Sequence, residues 1–134
     1  MSHEILGQIE VKDLEAFAAA ISELGGTFHQ NKRSYTMYKG ELPCDHAASF
    51  PNVRYGIGLR KREKSPAYDP VYDPFGYDGS NHDGHKIVEK CGKDLNRLKQ
   101  HYGLHVAERA ARKKGHTTRR KQRANGTIQL IIGG

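Results

Sequence analysis

The chain has 134 residues, 36% of them hydrophobic and 28% charged, with a net charge of +7. That length predicts one domain with a modest core, and no apolar run approaches the roughly 18 residues that span a bilayer. Met1-Ser2-His3-Glu4 lacks the basic-then-apolar pattern of a signal peptide, so the expected place is the cytoplasm, with Cys44 and Cys91 as free thiols.

Glu4 to Val11 alternates, with Ile5, Gly7, Ile9 and Val11 on one side, and is expected as a half-buried strand. Asp13 is placed to cap a helix in which Leu14, Phe17, Ala18, Ile21 and Leu24 share a face and Gly25-Gly26 ends it. Short strands follow at Thr27–Gln30 and Tyr35–Lys39, around a turn at Asn31-Lys32. Gly40 to Pro51, with Pro43 and Pro51, is expected as a loop. Val53 to Arg62 alternates again and predicts a strand, whose Gly56 and Gly58 either weaken it or mark a close backbone approach. Ser65 to Gly84 carries Tyr68-Asp69-Pro70, Tyr72-Asp73-Pro74 and Tyr77-Asp78-Gly79. Its prolines predict an edge strand followed by a long loop.

Helical spacing resumes at Ile87 and runs through Val88, Cys91, Leu95, Leu98, Tyr102, Val106 and Ala110 to Gly115, with Gly92 and Gly103 as weak points. His116–Arg123 and Thr127–Ile132 then flank Asn125-Gly126, a signal for a two-residue hairpin turn. The whole predicts an α+β fold: an antiparallel sheet with two helices on one face, of ferredoxin-like type, ending in a C-terminal β-hairpin.

Several stretches resemble a conserved family of unknown function that includes a plastid-encoded hypothetical reading frame and has cyanobacterial and phage relatives. They are Met1-Ser2-His3, Lys12-Asp13-Leu14-Glu15-Ala16, Tyr55-Gly56-Ile57-Gly58, the Tyr-Asp-Pro stretch, Leu95-x-x-Leu98-x-x-x-Tyr102 and Asn125-Gly126-Thr127-Ile128-x-Leu130. The resemblance implies a small single-domain protein, in some genomes encoded near an AAA-type ATPase. It brings no catalytic or binding residue with it. The dense basic tract from Arg109 to Arg123 departs from the family's pattern.

Charge is the main functional signal. All 15 acids lie at or before Glu108, together with 14 of the 22 Lys and Arg. The remaining eight are Arg109, Arg112, Lys113, Lys114, Arg119, Arg120, Lys121 and Arg123. With no acid after Glu108, this tract is expected to lack local partners and to attract polyphosphates, and the expected partner is nucleic acid, DNA or RNA, contacted through its phosphates. An acidic protein surface fits the same charges, so a phage- or ATPase-associated adaptor or inhibitor is the alternative. In that role Tyr68, Tyr72 and Tyr77 would offer a protein-interaction loop. Edge strands of this kind also allow a homodimer.

Other chemistry finds weaker support. Cys44, His46, His82, His85 and Cys91 are zinc-type ligands without a zinc spacing, and Asp69, Asp73, Asp78 and Asp83 lack a calcium-loop spacing. No phosphate-cradling glycine loop, nucleophile elbow or His-Glu-x-x-His occurs. The sequence therefore predicts a non-enzymatic binding module without a cofactor or metal.

Overall fold

The computed structural model describes residues 4–7, 9–75 and 82–133. Helix α1 spans Leu14–Glu23 and is capped as the sequence predicts: the Asp13 side chain accepts from Ala16 N–H at 3.0 Å. Its buried face is Ala16, Phe17, Ala20 and Ile21. Gly25, at φ 88°, closes the helix, with Gly26 N–H donating to Ile21 C=O and Gly25 N–H to Ser22 C=O.

The central sheet has five antiparallel strands. In spatial order they are β1 (Ile5–Leu6), β7 (Tyr68–Tyr72), β6 (Ile57–Lys61), β5 (His46–Ser49) and β2 (Thr27–His29). One face carries Ala48, Ile57, Leu59 and Tyr72, which pack with Phe17 and Ile21 of α1 and with Ile87, Leu98 and Tyr102 of the later helices. The other face is covered by a separate hairpin of β3 (Ser34–Met37) and β4 (Gly40–Pro43). There Tyr35, Met37 and Cys44 meet Ala47 and Val71.

The strands expected in Gly40–Pro51 were none, yet β4 and β5 both lie there. β5 escapes an alternation test because it is covered on both faces, so His46, Ala47 and Ala48 are all buried. β7 is a second correction: despite Pro70 it lies inside the sheet, between β1 and β6. Leu59, opposite Pro70, turns its carbonyl toward Asp45 N–H, so Pro70 directs its own backbone groups the other way. On that side its carbonyl accepts from Gly7 N–H at 2.7 Å, and its missing N–H falls where β1 stops. The ladder resumes only at Val11, which bridges Tyr68, so the expected Glu4–Val11 strand is interrupted.

The later helical stretch is divided. α2 spans Gly84–Cys91, Gly92 turns the chain at φ 84°, a 3-10 turn covers Lys93–Leu95, and α3 spans Asn96–Lys113 without a break at Gly103. The break resets the buried face. Leu104, Glu108 and Ala111 are buried in α3, whereas Val106 and Ala110 of the predicted stripe are exposed. No helix among the described residues is long and apolar enough to cross a membrane.

The final strands form their own sheet, β8 (Thr117–Gln122) with β9 (Ile128–Gly133). The order thus differs from the ferredoxin-like expectation. The strands flanking α1 sit at opposite edges of the sheet, with β5, β6 and β7 between them, and the strands after α3 leave the sheet altogether. The β8–β9 turn also differs from a two-residue one. Only Gly126 has positive φ, at 86°, and Arg123 N–H donates to Thr127 C=O, which makes a three-residue loop closed by a left-handed glycine.

Gly58 shows why β6 contains glycine: a Cβ there would lie 2.6 Å from the Tyr35 ring and 3.0 Å from the Cys44 Cβ. The β3–β4 hairpin crosses the sheet at this point, and Gly56 N–H donates to Thr36 C=O beside it. Gly58→Ala is expected to destabilise the protein by about 1–3 kcal/mol through overpacking, read as a lowered urea midpoint. A loss under about 0.5 kcal/mol would show that the crossing is not tight.

Candidate anion-binding face

The sequence-predicted cations occupy the end of α3 and the hairpin that follows. Gly115, at φ 81°, ends α3, with its N–H donating to Arg112 C=O and His116 N–H to Ala111 C=O. That reversal lays β8 back along the helix. Alternation then divides the side chains of β8: Thr118 and Arg120 are partly buried toward α3, and Arg119 and Lys121 are exposed on the other side.

The eight cations divide into two groups. Arg120 grips Glu108 through two bonds, Nη2 to Oε1 at 2.8 Å and Nε to Oε2 at 3.0 Å, and extends Nη1 to Glu23 at the end of α1. Arg109 bonds Asp13 at 2.8 Å and Glu15 at 2.6 Å, at the start of α1. These two therefore hold α1, α3 and β8 together, which corrects the expectation that the tract lacks local partners. The acids they meet are distant in sequence but adjacent once α3 packs on α1. The other six, Arg112, Lys113, Lys114, Arg119, Lys121 and Arg123, are exposed. None of the six makes an ion pair within 4 Å among the described residues.

Glu23 is the hub on the buried side. Besides Arg120 it bonds His101 Nδ1 at 3.1 Å and His105 Nε2 at 2.5 Å. Burial alone would raise its carboxyl, but hydrogen bonds from Arg120, His101 and His105 outweigh that and bring it down to about 2. The Arg120 bonds likewise lower Glu108 against a smaller opposing effect of burial, and Arg120 itself is raised by its bonds to Glu108 and Glu23. This network was absent from the sequence-based reading. Its signal is the spacing His101, His105 and Glu108 along one face of α3.

The tyrosines are elsewhere. Tyr68 and Tyr72 belong to β7 rather than to a loop. Tyr72 is 1% exposed and Tyr68 packs on the main core, so the expected protein-interaction loop loses both, and Tyr77 lies outside the described residues. Tyr35 and Tyr55 are buried too, while Tyr38 keeps half its surface and packs edge-on to His82 at 4.5 Å.

The metal-type residues do not converge. Among the described residues no three His, Cys, Asp or Glu side chains form a metal-holding group. Cys44 and Cys91 are free and buried in separate clusters on opposite faces of the sheet. Burial pushes the Cys91 thiol up to about 12. His46 Nδ1 accepts from Asn31 N–H at 2.8 Å. The acids of the Tyr-Asp-Pro stretch serve the backbone: Asp73 accepts from Tyr38 and Phe75 N–H, and Asp83 from Arg54 N–H. Asp69 pairs with Arg62 at 2.8 Å, and Asp78 lies outside the described residues. Beside the basic face, a groove of about 630 Å³ opens between Arg109, Lys113 and Lys12 over Leu14, Ala18 and Phe28.

Neighbouring arginines should therefore behave oppositely. Arg120→Ser takes from Glu108 and Glu23 the guanidinium that they share, leaving His105 between them, and is expected to cost about 1.5–3 kcal/mol in urea unfolding. Arg119→Ser is expected to stay within about 0.5 kcal/mol of the wild type. Equal losses would contradict the division. The pH dependence follows from the lowered carboxyls. Their contribution is full above the ordinary value of 4.5 and is lost as pH falls from there toward about 2. The Arg120→Ser penalty should accordingly shrink between pH 5 and pH 2, and a penalty that does not change across that window would exclude these pairs as its source.

Compared with known proteins, the chain matches no family model, no curated protein and no solved structure, so the reading of this face rests on its own geometry.

Proposed function

We propose that the protein is a non-enzymatic binding module whose basic face holds the phosphates of nucleic acid. The observation that carries this reading is the set of six exposed cations that have no acidic partner among the described residues, next to two whose charge is used inside the fold. Cations near a helix C-terminus also favour its dipole, by about 0.3–1 kcal/mol each. That covers Arg112 and Lys113 in the last turn of α3 and Lys114 at its C-cap; Arg119, Lys121 and Arg123 lie beyond the helix, where charge on an edge strand guards against edge pairing but does not call for three cations in a row of alternate positions.

The form of the face favours a polyanion over a single phosphate. Arg119 and Lys121 of β8 and Arg123 just past its end repeat every second residue, a spacing of roughly 6.6–6.8 Å along one side where the backbone is extended. Arg112, Lys113 and Lys114 continue the charge onto the helix end. A two-stranded ribbon is also an element that the major groove of B-form DNA admits. These side chains position a phosphate backbone and do not read bases.

Anisotropy titration with labelled single- and double-stranded DNA and RNA tests the reading. Binding is expected to weaken linearly in log-log form with salt, with a slope of about −5 on duplex DNA if all six cations meet phosphates. Arg119→Ser/Lys121→Ser/Arg123→Ser should cut that slope by about half and weaken binding at least about tenfold. Absence of binding by the folded wild type at low salt would overturn the proposal, and the same six cations would then point to an acidic protein surface and an adaptor role.

A further inference from the structure

We infer that β9 is a homotypic contact, through which two copies of this chain pair edge to edge across a twofold axis. The β8–β9 hairpin is a sheet of only two strands, separate from the central one. Such a ribbon is marginal alone, and each strand leaves one edge of backbone groups unpaired. The two edges differ. β8 carries Arg119, Arg120 and Lys121, the kind of residue that blocks edge pairing. β9 is Ile-Gln-Leu-Ile-Ile-Gly, with no charge and no proline.

The register fixes which groups face outward. Arg123 N–H donates to Thr127 C=O, so the hydrogen-bonded pairs continue at Lys121 with Gln129 and Arg119 with Ile131. The N–H and C=O of Ile128, Leu130 and Ile132 therefore point away from β8. Among the described residues no backbone bond outside the hairpin uses them. These residues are centred on Leu130, which makes the edge self-complementary. In an antiparallel pair Leu130 stands opposite Leu130 of the second copy, and Ile128 opposite Ile132, so each exchanges both of its bonds.

Charge selects the second copy as the occupant. A seam of β8 with β8 would set cations against cations, whereas a seam of β9 with β9 contains none. Ile132, which is 52% exposed in one copy, would lie against Ile128 of the other. The product is a four-stranded sheet whose outer edges are the two β8 strands, with their free cations away from the seam. The inference does not depend on the phosphate-binding reading, because backbone and apolar groups make the contact.

Light scattering with size-exclusion chromatography tests it on the full chain over about 1–100 µM, with Ile132→Lys as the variant. The wild type is expected to move toward twice 15.0 kDa with concentration, and to do so at low and high salt alike. Ile132→Lys should remain monomeric, with the urea midpoint that the wild type shows at concentrations where it too is monomeric. Cysteine crosslinking reads the register. Leu130→Cys should form a disulfide dimer, since opposed residues of this type lie about 5.5 Å apart at Cα. Ile131→Cys, facing Gln129 of the second copy, should crosslink at least about tenfold more slowly. A wild type that stays at 15.0 kDa throughout overturns the inference. So does a dimer that persists in Ile132→Lys, or one in which Leu130→Cys crosslinks no faster than Ile131→Cys.

Discussion

The forked bond of Arg120 to Glu108, with its third arm on Glu23, is the constraint on which the C-terminal half of the structure depends. The hairpin belongs to neither face of the central sheet, so its position must be set by contacts with the helices. Apolar packing there is thin: Leu104 and Ala111 of α3 are buried, and Ile128 and Leu130 only partly so. A paired, partly buried guanidinium adds direction that such packing lacks. It fixes which side of β8 faces the helix, and thereby which side presents Arg119 and Lys121 to solvent. A structural arginine thus orients its solvent-facing neighbours.

A comparable clasp serves the N-terminal half. Arg60 bonds both oxygens of Glu4 at 2.6 Å and the Pro43 carbonyl at 2.7 Å, while Tyr35 donates to the same Glu4. One side chain of β6 thereby ties the short strand β1 to the crossing hairpin β3–β4. Together with Gly58 it explains how a five-stranded sheet carries helices on one face and a two-stranded flap on the other. The molecule joins its layers with polar clasps at their rims and with apolar clusters between them.

Elements with strong local signals were legible from the sequence. Asp13 and Gly25 mark the ends of α1, Gly115 ends α3, and Asn125-Gly126 lies in the hairpin loop. Elements set by tertiary context were not. β5 is buried on both faces and shows no alternation, β7 tolerates Pro70 because its neighbour β1 stops there, and Gly92 turned one apparent helix into two with different buried faces. The basic tract was visible as a tract, but its division was not. Whether Arg120 or Arg119 is free depends on which side of β8 meets Glu108, and strand alternation alone cannot say which side faces the body.

Hydrogen exchange followed by mass spectrometry, comparing the wild type with Arg120→Met, tests the central claim most directly. Methionine keeps much of the apolar stem and removes the charge that holds Glu108 and Glu23. Loss of amide protection confined to β8 and β9, with α1 and the central sheet unchanged, is the result predicted if this bond holds the hairpin to the helical layer. Unchanged protection across Thr117–Gln122 and Ile128–Gly133 would show that packing alone positions the hairpin, and would contradict the account.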